Sequence, residues 1–201
     1  MVYISKVYTK AGDGGQTMLA DGRFVAKNDA RVRCYGEVDE LNAVVGLVRL
    51  ELARDPKLAS AEHVAFRRSL DEVLARIQQE LFDLGAELAT PGAAAGAAKI
   101  TVSAARVEAL EADIDRYNEP LAPLRSFILP GGGPSATAGH LARTVCRRAE
   151  RATVALAEAS DVRPEAIRYL NRLSDFLFVF SRAVAGRAGY DEVLWVQRSA
   201  T

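Results

Sequence analysis

The stretch that decides the fold is residues 126–151, SFILPGGGPSATAGHLARTVCRRAER. It opens on an apolar, strand-like run, Phe127, Ile128 and Leu129, which Pro130 and then Gly131 to Gly133 bring to a stop. Pro134 stands where a first-turn proline belongs, its φ already helical and its missing N–H without cost there. From Ser135 onward the pattern is helical, and at about 100° per residue Leu141, Val145, Ala149, Ala152 and Leu156 share one side. His140, Arg143, Arg147 and Arg151 fall on the opposite side. Arginines at i, i+4 and i+8 repel one another unless something anionic lies between them. The simpler reading of such a stripe is a solvated face with Glu150 nearby. A glycine-rich turn at the N-terminus of the same helix argues for an anion, because free backbone N–H groups and a basic stripe would then share one region.

Outward from this stretch, the seven prolines lie between or at the starts of long helical patterns and divide the chain into blocks. The first helix reads as 35–54, with Leu41, Val44, Val48 and Leu52 on an apolar side and Asp39, Asn42, Ala43 and Gly46 on the other. Small residues let a second helix approach closely. Asp39 in such a contact would need a cationic partner; alternatively it only favours the helix N-terminus through the dipole. A second helix spans about 61–88, and a third, capped by Thr101 or Ser103, ends before Pro120. Between them PGAAAGAA (91–98) is a low-complexity loop. A fifth helix starts at Asp161 or at Arg163-Pro164, with Leu170, Leu173, Phe176, Leu177, Phe180 and Val184 inside and Arg168, Asn171, Arg172, Asp175 and Arg182 outside. Five helices on short Pro/Gly connections predict an all-α, five-helix antiparallel bundle.

Residues 1–32 differ. Val2 to Tyr8 alternates as a strand would, and Thr9-Lys10-Ala11-Gly12-Asp13-Gly14-Gly15-Gln16-Thr17 then forms a loop of hydroxyls, one lysine and three glycines. Glycines let backbone N–H groups close around an anion, with Thr9, Lys10 and Thr17 as further donors. The loop is neither GxxxxGK[ST] nor GxGxxG, and a plain hairpin turn suits it equally. Lys27 follows in a second polar stretch, and residues 188–201 form a tail that looks extended around Trp195.

The totals bound the function. The chain has 201 residues, 49% hydrophobic, which suits one domain with a substantial core. Lys+Arg and Asp+Glu both number 26, so nothing favours nucleic acid or an acidic membrane as partner, and any basic site is local. Cys34 and Cys146 are too few and too far apart for a disulfide framework or a metal knuckle, and read as buried thiols. With no membrane-length apolar run and no signal-peptide pattern, a cytoplasmic location is expected.

Five motifs in order, VYTKAGDGGQT, YGEVDELNA, SFILPGGGP, ARTVCRRAER and RYLNRLSDFLF, make the chain resemble the PduO-type ATP:corrinoid adenosyltransferases. They reach from Lys6 to Arg182, apart from helices two and three. The resemblance implies a single domain: an ATP-loop segment (1–32), a helical bundle (35–187) and a tail (188–201), assembled as a homotrimer with active sites between subunits. It implies that Thr9, Lys10, Ala11, Gly12 and Thr17 wrap the ATP phosphates. Lys27, Arg147, Arg148, Ala149, Glu150, Arg151 and Asn171 add ATP contacts. Asp39 would pair with Arg147 of a neighbouring subunit, and Phe127 would pack against the lower face of the corrin. Catalytic roles fall to Asp39, Phe127, Arg147 and Arg151. The implied reaction is attack of cob(I)alamin, or of cob(I)yrinic acid a,c-diamide, on the 5′ carbon of ATP, with Mg²⁺ on the triphosphate and no metal site of the protein's own assigned. A reductase would supply electrons, and an adenosylcobalamin-dependent enzyme would accept the product. Members of the family place a further aromatic in a C-terminal segment over the corrin; this chain's end is short, and Trp195 is not assigned that role. A second reading is a nucleotide-gated carrier that delivers adenosylcobalamin to an acceptor enzyme. A third is a bundle whose basic faces only hold oligomer contacts, which predicts no ATP binding.

Overall fold

The structure, a computed structural model, describes residues 7–197. The strand expected over Val2 to Tyr8 lies almost wholly outside the described residues. Five α-helices are found among them: α1 (Ala30–Arg54), α2 (Val64–Leu88), α3 (Ala104–Asn118), α4 (Gly133–Ala159) and α5 (Pro164–Arg187). A two-stranded antiparallel hairpin, β1 (Gln16–Met18) and β2 (Phe24–Ala26), precedes them, with Thr17 opposite Val25.

Local chemistry sets the boundaries. α1 begins five residues earlier than periodicity predicts, because Asp29 caps it and accepts from the Arg31 N–H at 2.8 Å. Residues 61–63 form a 3-10 turn before α2. Ser103 occupies the N-cap of α3 without a side-chain cap bond. α5 opens with Pro164 in its first turn after Arg163.

α4 packs between α1 and α5, α1 also packs on α2, and α5 on α3. Side chains close the ring between α2 and α3: Arg76 meets Asp113 at 2.7 Å, Arg106 meets Asp83 at 2.7 Å, and the Ser69 and Tyr117 hydroxyls lie 2.6 Å apart. Neighbours run antiparallel except α3 and α5, whose contacts ascend together: Arg163 with Val102, Arg172 with Glu111, Arg182 with Ala122. The reason is arithmetic: five helices in a closed ring cannot alternate direction throughout.

The core is one apolar cluster through all five helices, and Tyr169, Phe176 and Phe180 are among its largest fully buried side chains. Both thiols are buried. Cys34 sits 3.3 Å from the Thr153 hydroxyl, Cys146 donates to the Leu170 carbonyl, and burial pushes both thiols up.

Three expectations for α4 and α5 need correction. His140 is buried, its ring 6.2 Å from Phe178, whereas Leu141 is the exposed neighbour. Arg182 is also inside, 7% exposed, where it pairs with Glu192. The glycine turn and the arginine stripe do not share one region. At about 1.5 Å per residue, Arg147 lies roughly 21 Å along α4 from Gly133.

Candidate active site

The glycine turn is built for close packing. Gly132 and Gly133 both have positive φ, and a Cβ on Gly133 would overlap the Tyr190 ring, while one on Gly132 would stand 2.8 Å from Ala185. Beneath it, the Ser135 hydroxyl donates to the buried Asp55 carboxylate at 2.7 Å and the Tyr190 hydroxyl reaches the same group at 3.3 Å. The turn thereby holds the chain just before it in a fixed place.

That chain forms a short ribbon with the C-terminal segment. Ile128 bridges Leu194, the Leu129 N–H donates to Val193 O at 2.8 Å, and the Trp195 N–H donates to Phe127 O at 2.7 Å. The Ser126 hydroxyl adds a bond to Trp195 O at 2.9 Å. Phe127 is 79% exposed and meets Trp195 edge to face, centroids 6.4 Å apart. Leu129, Leu194, Trp195 and Val196 line an open hollow of about 520 Å³ beside it. Residues around 193–196 are thus extended, as expected, and they are strand-paired to the run that opens the deciding stretch. Trp195, left out of the sequence-based site, is brought against Phe127. Its signal was the apolar run Val193 to Val196, too short to separate from an ordinary chain end.

Along α4, Arg147 and Arg151 are exposed and Arg143 is half-buried, and none has an ion-pair partner among the described residues. Burial lowers the Arg143 pKa and Arg147 lowers it further, the signature of cations crowded without an anion. Arg151 turns back to the Arg147 carbonyl at 3.1 Å. Arg148 differs: its guanidinium is engaged by Glu37 and Glu40 on α1, which raise its pKa. Glu150 accepts from Asn171 of α5 at 3.1 Å, and Ala149 is buried between α4 and the core.

Asp39 stands exposed on α1, at a depression of about 380 Å³ shared with Tyr35, Phe82, Gly85 and Ala86. Of its neighbours on the small-residue face, Asn42 and Gly46 are taken by α2, while Ala43 is exposed. Asn42 and Gln78 exchange side-chain-to-carbonyl bonds at 3.1 Å, and Gly46 faces Gln78.

The Thr9 to Thr17 loop is a run of turns. The Asp13 N–H donates to Lys10 O, the Gly15 N–H to Gly12 O, and the Lys27 N–H to Gly15 O. Lys10 has φ 62, a left-handed backbone uncommon for a side-chain-bearing residue. The Lys27 ammonium lies so close over Gly12 that an added Cβ would be 3.0 Å from Nζ. Lys27 and Gly12, 15 residues apart in sequence, are therefore neighbours, while the Asp13, Gly15 and Lys27 N–H groups are taken by backbone carbonyls. Through Leu19, which is buried, and the Ala20 N–H bond to Ala89 O, the hairpin is fixed where α2 ends. Phe127 lies at the opposite end of the bundle, where α4 begins. In one chain the loop and the aromatic pair are thus separated by the length of α4, about 40 Å for its 27 residues.

The family model for cobalamin adenosyltransferases matches residues 7–184. This chain belongs to that family. A cobalamin adenosyltransferase of Cupriavidus metallidurans is 42% identical over 192 residues, covering 96% of this chain and 95% of the relative. A corrinoid adenosyltransferase of Bacillus subtilis is 41% identical, covering 97% and 94%. Among solved structures, a Phe-to-Ala variant of the PduO-type ATP:corrinoid adenosyltransferase from Lactobacillus reuteri, complexed with cobalamin and ATP, superposes with TM-score 0.83 at 37% identity, covering 96% of this chain and all of that one. An Arg-to-Lys variant of the same enzyme, complexed with ATP, gives 0.80 at 38% identity, with coverage of 94% and 100%. The family match includes the loop, Asp39, Phe127, the arginine stripe and Asn171, and stops before the Val193 to Val196 segment.

Proposed function

We propose that this cobalamin adenosyltransferase moves the 5′-deoxyadenosyl group of ATP onto the cobalt of a cob(I)alamin-type corrinoid. The cobalt lone pair attacks C5′, the Co–C bond forms as the C5′–O bond breaks, and triphosphate leaves with the bonding electrons. The nucleophile carries no proton, so the reaction needs no general base. The leaving group is strongly anionic, and the binding demand falls on cations and N–H donors placed before the reaction starts. Thr9, Lys10, Ala11, Gly12, Thr17 and Lys27 form one such set and Arg147 and Arg151 the other, with Glu150 and Asn171 bonded beside them. Arg148, held by two glutamates of its own chain, keeps α4 against α1 so that Arg147 and Arg151 point outward.

The observation that carries the reading is Phe127: an almost fully exposed ring on a hydrogen-bonded ribbon, backed by Trp195. An apolar ring under the corrin keeps water and nitrogen ligands off the lower face of cobalt, which eases reduction to Co(I). The corrinoid supplies the nucleophile; the protein supplies position, charge and dryness.

The site is proposed to form between subunits of a homotrimer. The loop and Phe127 lie about 40 Å apart along one chain, Asp39 has no cationic partner among the described residues, and Arg147 has no anionic one. A neighbour's Asp39 against Arg147 would satisfy both. Magnesium is proposed to be held chiefly by the triphosphate. Such an ion keeps phosphate oxygens and waters as most of its ligands and needs no all-protein cage. A cytoplasmic location is in keeping with the described helices, none of which is long and apolar enough to cross a membrane. An electron-donating reductase and an acceptor enzyme remain part of the proposal. Anaerobic incubation with ATP and reduced cobalamin tests it: an alkylcobalamin spectrum and free triphosphate are expected, and their absence, with binding intact, would favour a carrier.

A further inference from the structure

The ribbon that carries Phe127 and Trp195 is held from beneath by one buried side chain. Arg182, on α5, is 7% exposed. Its Nε donates to the Glu192 carboxylate at 2.7 Å, and its Nη2 donates both to Glu192 at 3.3 Å and to the Ala122 carbonyl at 2.9 Å. Ala122 lies five residues before Phe127, and Glu192 three residues before Trp195. One planar guanidinium therefore ties together the two chain segments that enter the ribbon, a geometry that its fork of donors suits and an ammonium does not. Beyond this tie, the C-terminal segment rests on Tyr190, whose ring packs on Gly133 beneath the Lys57 ammonium and whose N–H and hydroxyl bond Ala185 and Asp55. It rests also on the bonds of Phe127 and Leu129 to Trp195 and Val193, and on the Ser126 hydroxyl. Four of the residues concerned, Leu129, Val193, Leu194 and Trp195, are about half exposed, so little apolar burial keeps the segment in place.

We infer that Arg182 and Glu192 are positioning residues for the corrin site: their ion pair sets Trp195 against Phe127, so that the two rings form one preformed apolar platform. The inference rests on the reading of Phe127 as the lower-face residue. It extends that reading to a pair of charges that touch neither substrate and to the C-terminal segment, which lies past the matched part of the family. A platform assembled before the corrin arrives spares the ordering of that segment on binding, so the loss of the tie should fall on corrinoid affinity and on the cobalt coordination it enforces.

The test uses Trp195, the only tryptophan of the chain, as its own reporter. Glu192→Gln keeps the shape of the side chain and removes its charge. Arg182→Lys keeps the charge and removes the fork. In the intact protein without cobalamin, both variants are expected to shift Trp195 emission to the red and to make it several-fold more accessible to acrylamide. In turnover they are expected to raise KM for the corrinoid about three- to tenfold while KM for ATP stays within twofold, since the ATP groups lie elsewhere on the bundle. The cob(II)alamin four-coordinate signal in electron paramagnetic resonance should shrink in proportion. Unchanged Trp195 emission in both variants would overturn the tie itself. Shifted emission with an unchanged corrinoid KM would instead overturn the platform reading beneath it. A lowered melting temperature with neither readout moved would make the ion pair merely structural.

Discussion

Phe127→Ala separates a structural ring from a functional one, because its cost in stability can be worked from its exposure. A core phenylalanine truncated to alanine costs about 3–5 kcal/mol. Phe127 is 79% exposed, so about a fifth of it is covered, and Trp195 meets it edge to face. With about 200 Å² of side-chain surface and about 25 cal/mol per Å², that fifth contributes roughly 1 kcal/mol. For a domain of this size the melting temperature should fall by about 2–4 °C. ATP affinity, measured by calorimetry, should stay at the wild-type value, since the phosphate donors lie elsewhere. The loss should appear at cobalt: with cob(II)alamin and ATP, the four-coordinate paramagnetic signal should give way to a five-coordinate one, and the rate from Co(II) should fall steeply. Supplying prereduced Co(I) should recover much of that rate. Arg151→Ala should not recover under the same treatment, because its defect lies in charge on the leaving triphosphate. A four-coordinate signal that survives Phe127→Ala, or a stability loss of the core size, would refute the reasoning.

Three further outcomes are expected. Lys10→Ala should weaken ATP binding by about 1–3 kcal/mol with an unchanged circular dichroism spectrum; unaltered affinity would reduce the loop to a hairpin turn. Asp39→Ala and Arg147→Ala should each be nearly inactive, yet mixed trimers formed by co-refolding equal amounts should regain about a quarter of wild-type activity, since each mixed trimer restores one interface of three; no recovery, or an active monomer in sedimentation, would rule out the inter-subunit pair. His140 is buried, and burial, then Arg143, pull its pKa from 6.5 down to about 4. The neutral ring is the folded form, so stability is full above pH 6.5 and declines as pH falls toward 4, by about 3 kcal/mol for this group. His140→Leu should flatten the denaturation midpoint over that window, and an unaltered pH dependence would show that other groups govern it.

Much of this was written in the chain itself. Apolar positions recurring at helical spacing, interrupted by prolines that cannot continue a helix, specify five helices and their connections whatever their tertiary partners. The motif residues of the loop, of α4 and of α5 carry the family with them. Periodicity on one helix cannot say which of its faces meets a neighbour, however. His140 and Arg182 looked polar and outward because polarity alone predicts solvent, yet α4 packs between α1 and α5, and Glu192 supplies Arg182 with a partner from outside its helix. α1 began before its apolar period did, because the Asp29 cap is a local hydrogen bond that hydrophobic spacing does not register. Phe127, one residue of a short apolar run, gives no local sign of whether it is covered; the bridge between Ile128 and Leu194 puts it on a ribbon at the surface. Trp195 sits 68 residues away, and only the folded chain brings the two rings together. The same tertiary arrangement sets the Thr9 to Thr17 loop and the aromatic pair at opposite ends of α4, a separation fixed by helix length and direction that no local pattern encodes.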